Sequence, residues 1–147
     1  YRDLEGDAVC LAPLYDRLTT LYPERVHYPR AEMSANELKA VAGLMDGVVT
    51  GRMHLAIASL GMGVPVAALT YQDKFKGLFK HFELPEGYLL APSVDGFEEP
   101  LFSMIEDFIS NLPTLRVVVR QHLPAVHAAS LSNIQPILES SVVGADA

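Results

Sequence analysis

A single cysteine, Cys10, in a chain of 147 residues excludes an internal disulfide and a thiolate metal cluster, and it suits a reducing compartment. Its neighbours Val9, Leu11 and Leu14 predict a buried thiol on a helix. No apolar run reaches the roughly 18 to 20 residues that span a bilayer, which excludes a spanning helix. Basic residues are scarce: 11 Lys and Arg against 18 Asp and Glu give a net charge of -7, which argues against nucleic acid or an anionic membrane as the main partner. The opening "YRDLEG" has no initiator methionine, no basic n-region and no apolar h-region, so no signal peptide is read and a piece of a longer protein is expected.

Familiar catalytic signatures are also missing. The chain contains no P-loop, GxSxG, HExxH or CxxC, and His27, His54, His81, His122 and His127 do not fall at zinc spacings beside carboxylates, so no metal is expected. "GMGVPV" precedes a strand and lacks a third glycine, so it reads as a helix stop and not as a dinucleotide fingerprint. The acids Glu98, Glu99, Glu106 and Asp107 read as a hydrated helix face, and His122 and His127 as structural.

What is present alternates between helical and strand periods. Val9, Leu11, Leu14, Leu18 and Leu21 recur near helical spacing before Pro23, and "RVHY" follows as a short strand ended by Pro29. Ser34 with Glu37 three residues on is a capping box, and Leu38, Val41, Ala42 and Met45 form one apolar helix face. "GVVT", a helix over Arg52 to Leu60, and the apolar run "VPVAALT" make a parallel βαβ unit. Asp73 is placed to cap a helix that buries Phe75, Leu78, Phe79 and Phe82, and "GYLLAP" reads as a further strand. Two helices are expected over Phe97 to Ile109 and Leu112 to Ser130, with a kink at Pro124, then a short helix from Ser132. The pattern predicts an α/β Rossmann-like three-layer domain with a small parallel sheet of about four strands, a single domain over 1-141 and a frayed tail over 142-147.

Residues 30 to 81 carry six basic residues (Arg30, Lys39, Arg52, Lys74, Lys76 and Lys80) against four acids, a local positive balance in an acidic chain. Ligands of open α/β sheets bind beyond the carboxyl ends of strands, where helix N-termini present unpaired N–H groups. "TGRMH" is that place: Gly51 lets the backbone approach closely, and Arg52 and His54 stand where the helix dipole is positive. Arg52 offers a fork for a carboxylate or phosphate, and His54 a donor or a proton. On the residues alone a structural reading stands first, with Arg52 paired to Asp46 or Asp73 and His54 packed in the core. Lys74, just after "VAALT", is either a third cation at the same sheet edge or a surface lysine.

"DGVVTGRMHLAIASLGMGVPVAALTYQDKFKGLFKHFEL", with R-x-H, G-V-P and Y-x-x-K in order, resembles the C-terminal signature of the polysaccharide pyruvyl transferase family. The resemblance is tight over about forty residues. It implies a transferase that uses phosphoenolpyruvate, with no further cofactor, to place a pyruvyl ketal on a saccharide acceptor, free or lipid-linked, of a cell-surface polysaccharide. It further implies one half of a GT-B-like fold whose N-terminal domain is missing here, an inactive fragment, and a cytoplasmic site, with the inner face of the membrane as an alternative. Carried onto this sequence, the resemblance makes Arg52 the ligand of the donor's carboxylate or phosphate and His54 the general acid. Gly51, Tyr71 and Lys74 join Arg52 in donor binding. The nucleotide-sugar half of a GT-B glycosyltransferase and a non-catalytic binding module are the competing expectations.

Overall fold

A computed structural model describes residues 7–28, 32–70, 73–92 and 96–133. The side chain of Cys10, Pro29, Tyr71 and the expected tail over 142-147 lie outside the described residues. The chain forms two compact units, Tyr1–Met33 and Ser34–Ala147.

In the first unit α1 spans Asp7–Leu21. Its expected apolar face is half exposed at Val9, Leu14 and Leu21. Within the "RVHY" segment, Val26, His27 and Tyr28 are not a strand. They return along α1 instead, with the Tyr28 ring 5.7 Å from that of Tyr15 and a small cavity of about 130 Å³ between Val26 and the leucines of the helix. A short extended segment becomes a strand only where a neighbour supplies the ladder, and none pairs with it among the described residues.

The second unit is the α/β body. The sequence places α2 at Ala35–Gly43, β1 at Val48–Thr50, α3 at Met53–Gly61, β2 at Val66–Leu69, α4 at Lys74–His81, β3 at Leu89–Leu90 and α5 at Glu98–Ser132. The three strands are parallel in the order β1-β2-β3, with Val48 opposite Val66 and Ala68 opposite Leu89. Three described strands, not four, make the sheet. The apolar run of β2 is covered on both faces, as a central parallel strand requires: Val66, Ala67 and Ala68 are fully buried.

Local chemistry explains the helix boundaries. Ser34 caps α2 as a capping box: its Oγ accepts from the Glu37 N–H at 3.3 Å while its own N–H donates to Glu37 Oε2 at 2.7 Å. The Ser34 N–H and, at 2.8 Å, the Ser34 hydroxyl donate to the Glu37 carboxylate and hold it below its ordinary pKa. The apolar face predicted for α2 is not buried: only Ala42 is, while Leu38, Val41 and Met45 stay exposed. At the other end of α3, Gly63 adopts φ +76°, and the Val64 N–H reaches back to the Ser59 carbonyl at 3.0 Å. "GMG" is the helix stop its composition suggested. The face of α4 is buried as expected at Phe75, Phe79 and Phe82. Asp73 does not cap the helix with its side chain and pairs with Lys76 at 3.1 Å.

The two helices expected after Phe97 are one. α5 runs 35 residues, about 52 Å at the usual rise, straight through Pro113 and Pro124. A mid-helix proline costs about 3 kcal/mol locally. Met104, Phe108, Leu115 and Val119 keep one buried face in register across Pro113, and that packing outweighs the local loss. α5 also grips the sheet by polar means. Arg116 Nη2 donates to the carbonyls of Met45 at 2.8 Å and Asp46 at 3.0 Å, holding the turn that enters β1. Buried Tyr88, before β3, donates to Asp107 Oδ2 at 2.7 Å, and its ring meets Phe108 edge-on. Asp107 therefore belongs to a structural bond and not only to a hydrated face.

The glycines of "GMG" should respond with opposite signs to alanine. Gly63→Ala forces a left-handed residue and brings its Cβ to 3.2 Å from Arg120 Cγ, so denaturant melts should show a loss of about 1–2 kcal/mol. Gly61→Ala faces open space on a helix and should gain up to about 1 kcal/mol. Tyr88→Phe should cost about 1 kcal/mol at neutral pH. Burial and then the Asp107 bond push the Tyr88 pKa up. The contribution should therefore be complete below the unfolded value near 10 and vanish as pH rises through the folded one.

Candidate functional site

The parallel register brings the carboxyl ends of β1 and β2 to one edge, and both runs close on a threonine, Thr50 and Thr70. Thr50 is buried, and its Oγ1 accepts the Arg52 N–H at 2.9 Å. This short bond turns the chain from strand to helix. The Thr70 N–H donates to the Leu90 carbonyl at 2.8 Å, tying the end of β2 to β3. Between them Gly51 leaves room for the neighbouring strand: a Cβ there would stand 3.3 Å from the Leu69 carbonyl oxygen.

Arg52 is the N-cap of α3, so the helix begins at Met53, one position after the predicted start at Arg52, and Arg52 itself is extended with φ -101° and ψ 115°. An arginine has donors and no acceptor, so it cannot do what serine, threonine or aspartate does at this position. No side-chain cap bond closes the helix, and the intrahelical ladder begins with the Ala56 N–H on the Arg52 carbonyl at 3.1 Å. The first turn therefore offers N–H groups and positive partial charge beside a guanidinium. Of the two acids weighed as partners of Arg52, Asp46 lies 3.3 Å from Arg116 and Asp73 lies 3.1 Å from Lys76.

A cavity of about 190 Å³ opens at this edge, lined by Gly51, Arg52, Met53, His54, Leu69, Thr70 and Phe75. Three of the residues expected from sequence, Gly51, Arg52 and His54, thus share one cavity. Lys74 begins α4 beside Phe75 but is not among the lining residues, and Tyr71 lies outside the described residues. His54 is exposed and not packed in the core. Sequence reasoning passed over Thr50, Thr70 and Phe75. The threonine ending each apolar strand was a usable signal, because a polar residue closing such a run marks the edge where the strand leaves the core. Among the described residues, no group of three or more His, Cys, Asp or Glu side chains is placed to hold a metal, and no helix is long and apolar enough to cross a membrane.

Residues 2–73 match the family model described as Polysaccharide pyruvyl transferase. Over this stretch, just under half of its length, the chain is similar to the polysaccharide pyruvyl transferase family. The family segment takes in α1, α2, β1, α3 and β2, with Arg52 and His54 inside it, and it ends one residue before Lys74. It reaches further upstream than the resemblance centred on Asp46 to Leu84. The match supports a transferase-type domain, and the family implies a saccharide acceptor. No solved structure matches the chain.

The turn that positions Arg52 is testable on its own. Thr50→Val keeps the shape of a buried side chain and removes the acceptor, and should lower stability by about 1 kcal/mol in urea melts. Thr50→Ser should recover most of that loss.

Proposed function

We propose that the edge of β1 and α3 is the donor site of a pyruvyl transferase, where phosphoenolpyruvate is held for transfer to a sugar of a cell-surface polysaccharide or its precursor. The observation that carries the reading is that a small cavity, lined by the family segment and by Phe75 just beyond it, joins Arg52, His54 and the uncapped amides of α3 at its rim. Its volume, about 190 Å³, lies below the roughly 300–1,000 Å³ of pockets for drug-sized ligands, which favours a three-carbon acid over a nucleotide sugar.

In this reading Arg52 pairs with the donor's carboxylate or phosphate, the α3 amides share the remaining anionic charge, and Tyr71 and Lys74 close on the donor from the far side of the edge. His54 gives a proton to the methylene carbon of the enol phosphate. The carbon bearing the phosphate oxygen becomes oxocarbenium-like, and a first sugar hydroxyl adds there. A second hydroxyl of the same sugar displaces phosphate and completes the ketal. The two hydroxyl protons leave with the balance closed: one returns to His54 and one departs on the phosphate. General acid catalysis of this kind contributes about 10²–10⁴-fold, and fixed cations hold the developing charge without reorganising. The chain supplies the donor half of a two-domain, cytoplasmic enzyme, with the acceptor held by the other half.

Calorimetric titration with phosphoenolpyruvate and with a UDP-sugar tests the assignment. Phosphoenolpyruvate should bind in preference, and Arg52→Ala should weaken it about 10–100-fold, as expected for loss of a charge-assisted pair. His54→Gln should bind it within a few-fold of wild type, yet in the two-domain enzyme lose about 10²–10⁴-fold in kcat. Tighter binding of the UDP-sugar would overturn the reading.

A further inference from the structure

His54 faces two cavities. Besides the small one at the strand edge, it lines a groove of about 470 Å³ bounded by α2, α3, α4 and α5. The groove follows α3 from His54 to Gly61, about 10 Å along the helix. Its apolar wall is made by Ile57, Ala58, Leu78, Phe82, Leu123 and Val126, and its basic groups are Lys39, His54 and His127. No aspartate or glutamate is among the residues lining it, in a chain that carries 18 acids and a net charge of -7. Its volume falls within the range of small-molecule sites, which are mostly apolar with a few placed polar groups.

We propose that this groove binds an amphiphilic anion, an apolar chain ending in a phosphate or carboxylate. The chain lies along α3 over Ile57, Ala58 and Phe82, and the head meets Lys39 with the imidazoles of His54 and His127. Charge complementarity selects the head and rejects cations, and the apolar wall selects the tail. His54 is the common wall of the two cavities, so an occupant of the groove and an anion at the strand edge sense each other through one side chain. By linkage, whatever factor one imposes on the other's affinity must be returned.

Octyl phosphate is the probe, titrated into the 147-residue chain below its micelle concentration by calorimetry and by NMR, with inorganic phosphate and octanol as its separate halves. Saturable one-to-one binding is expected, at least 10-fold tighter than either half. Lys39→Glu should weaken it at least 10-fold. Gly61→Leu should block it without unfolding the chain, because a side chain there enters open space. Arg52→Ala should leave it within two-fold, so that failure of the donor site and failure of the groove give different results. Octanoate distinguishes the head group: whichever of octanoate and octyl phosphate binds more tightly must also lose affinity with Lys39→Glu. Binding no tighter than the better half, or indifferent to Lys39→Glu and Gly61→Leu, would overturn the proposal.

Discussion

Three strands of two to four residues expose too little ladder and too little area to hold themselves together, so the α/β unit depends on the packing of α5 against them. Phe108 and Leu112 press on the backbone at Gly47, where any side chain would stand 2.5 Å from Leu112 Cδ2. Tyr88 and Asp107 lock the approach to β3, and Arg116 locks the approach to β1. Both prolines inside α5 are tolerated on the same account: the helix is continuous because its buried face is, not because its residues favour it.

The site inherits its geometry from that support. α5 fixes where β1 begins, the β1-β2 register fixes where it ends, and the Thr50 bond then sets Arg52 at the head of α3. Each step constrains the backbone, so the main-chain position of Arg52 is set before its side chain makes any contact. A cap that can only donate is a poor choice for helix stability, with serine or aspartate better by about 1 kcal/mol. Its presence at the edge of a parallel sheet is the kind of local conflict that marks a functional position.

Much of this was legible in the sequence where a short-range rule sufficed. The capping box at Ser34, the βαβ unit, the phenylalanine face of α4 and the stop at Gly63 depend on neighbours within a turn or two, and they stand as expected. The failures are long-range. "RVHY" has strand composition, but Val26 to Tyr28 have no partner strand among the described residues; Leu38 and Val41 have helical spacing but stay exposed among them; and α5 survives its prolines because of residues far away in sequence. The site divides in the same way. Gly51, Arg52 and His54 could be read from one four-residue stretch and its place after a strand, whereas Thr70 and Phe75 enter only when β2 and α4 fold beside them.

Arg116 is 71 and 70 residues from the carbonyls it holds at Met45 and Asp46. At synthesis rates of about 5–20 residues per second, a growing chain spends roughly 4 to 14 seconds between making that turn and making the side chain that secures it. During that interval the β strands and the phenylalanines of α4 are made, and they stand without the completed helix that covers them. The order of synthesis thus sets a window in which the nascent chain has to be kept from its neighbours, and it closes only when the last third of the domain has been made.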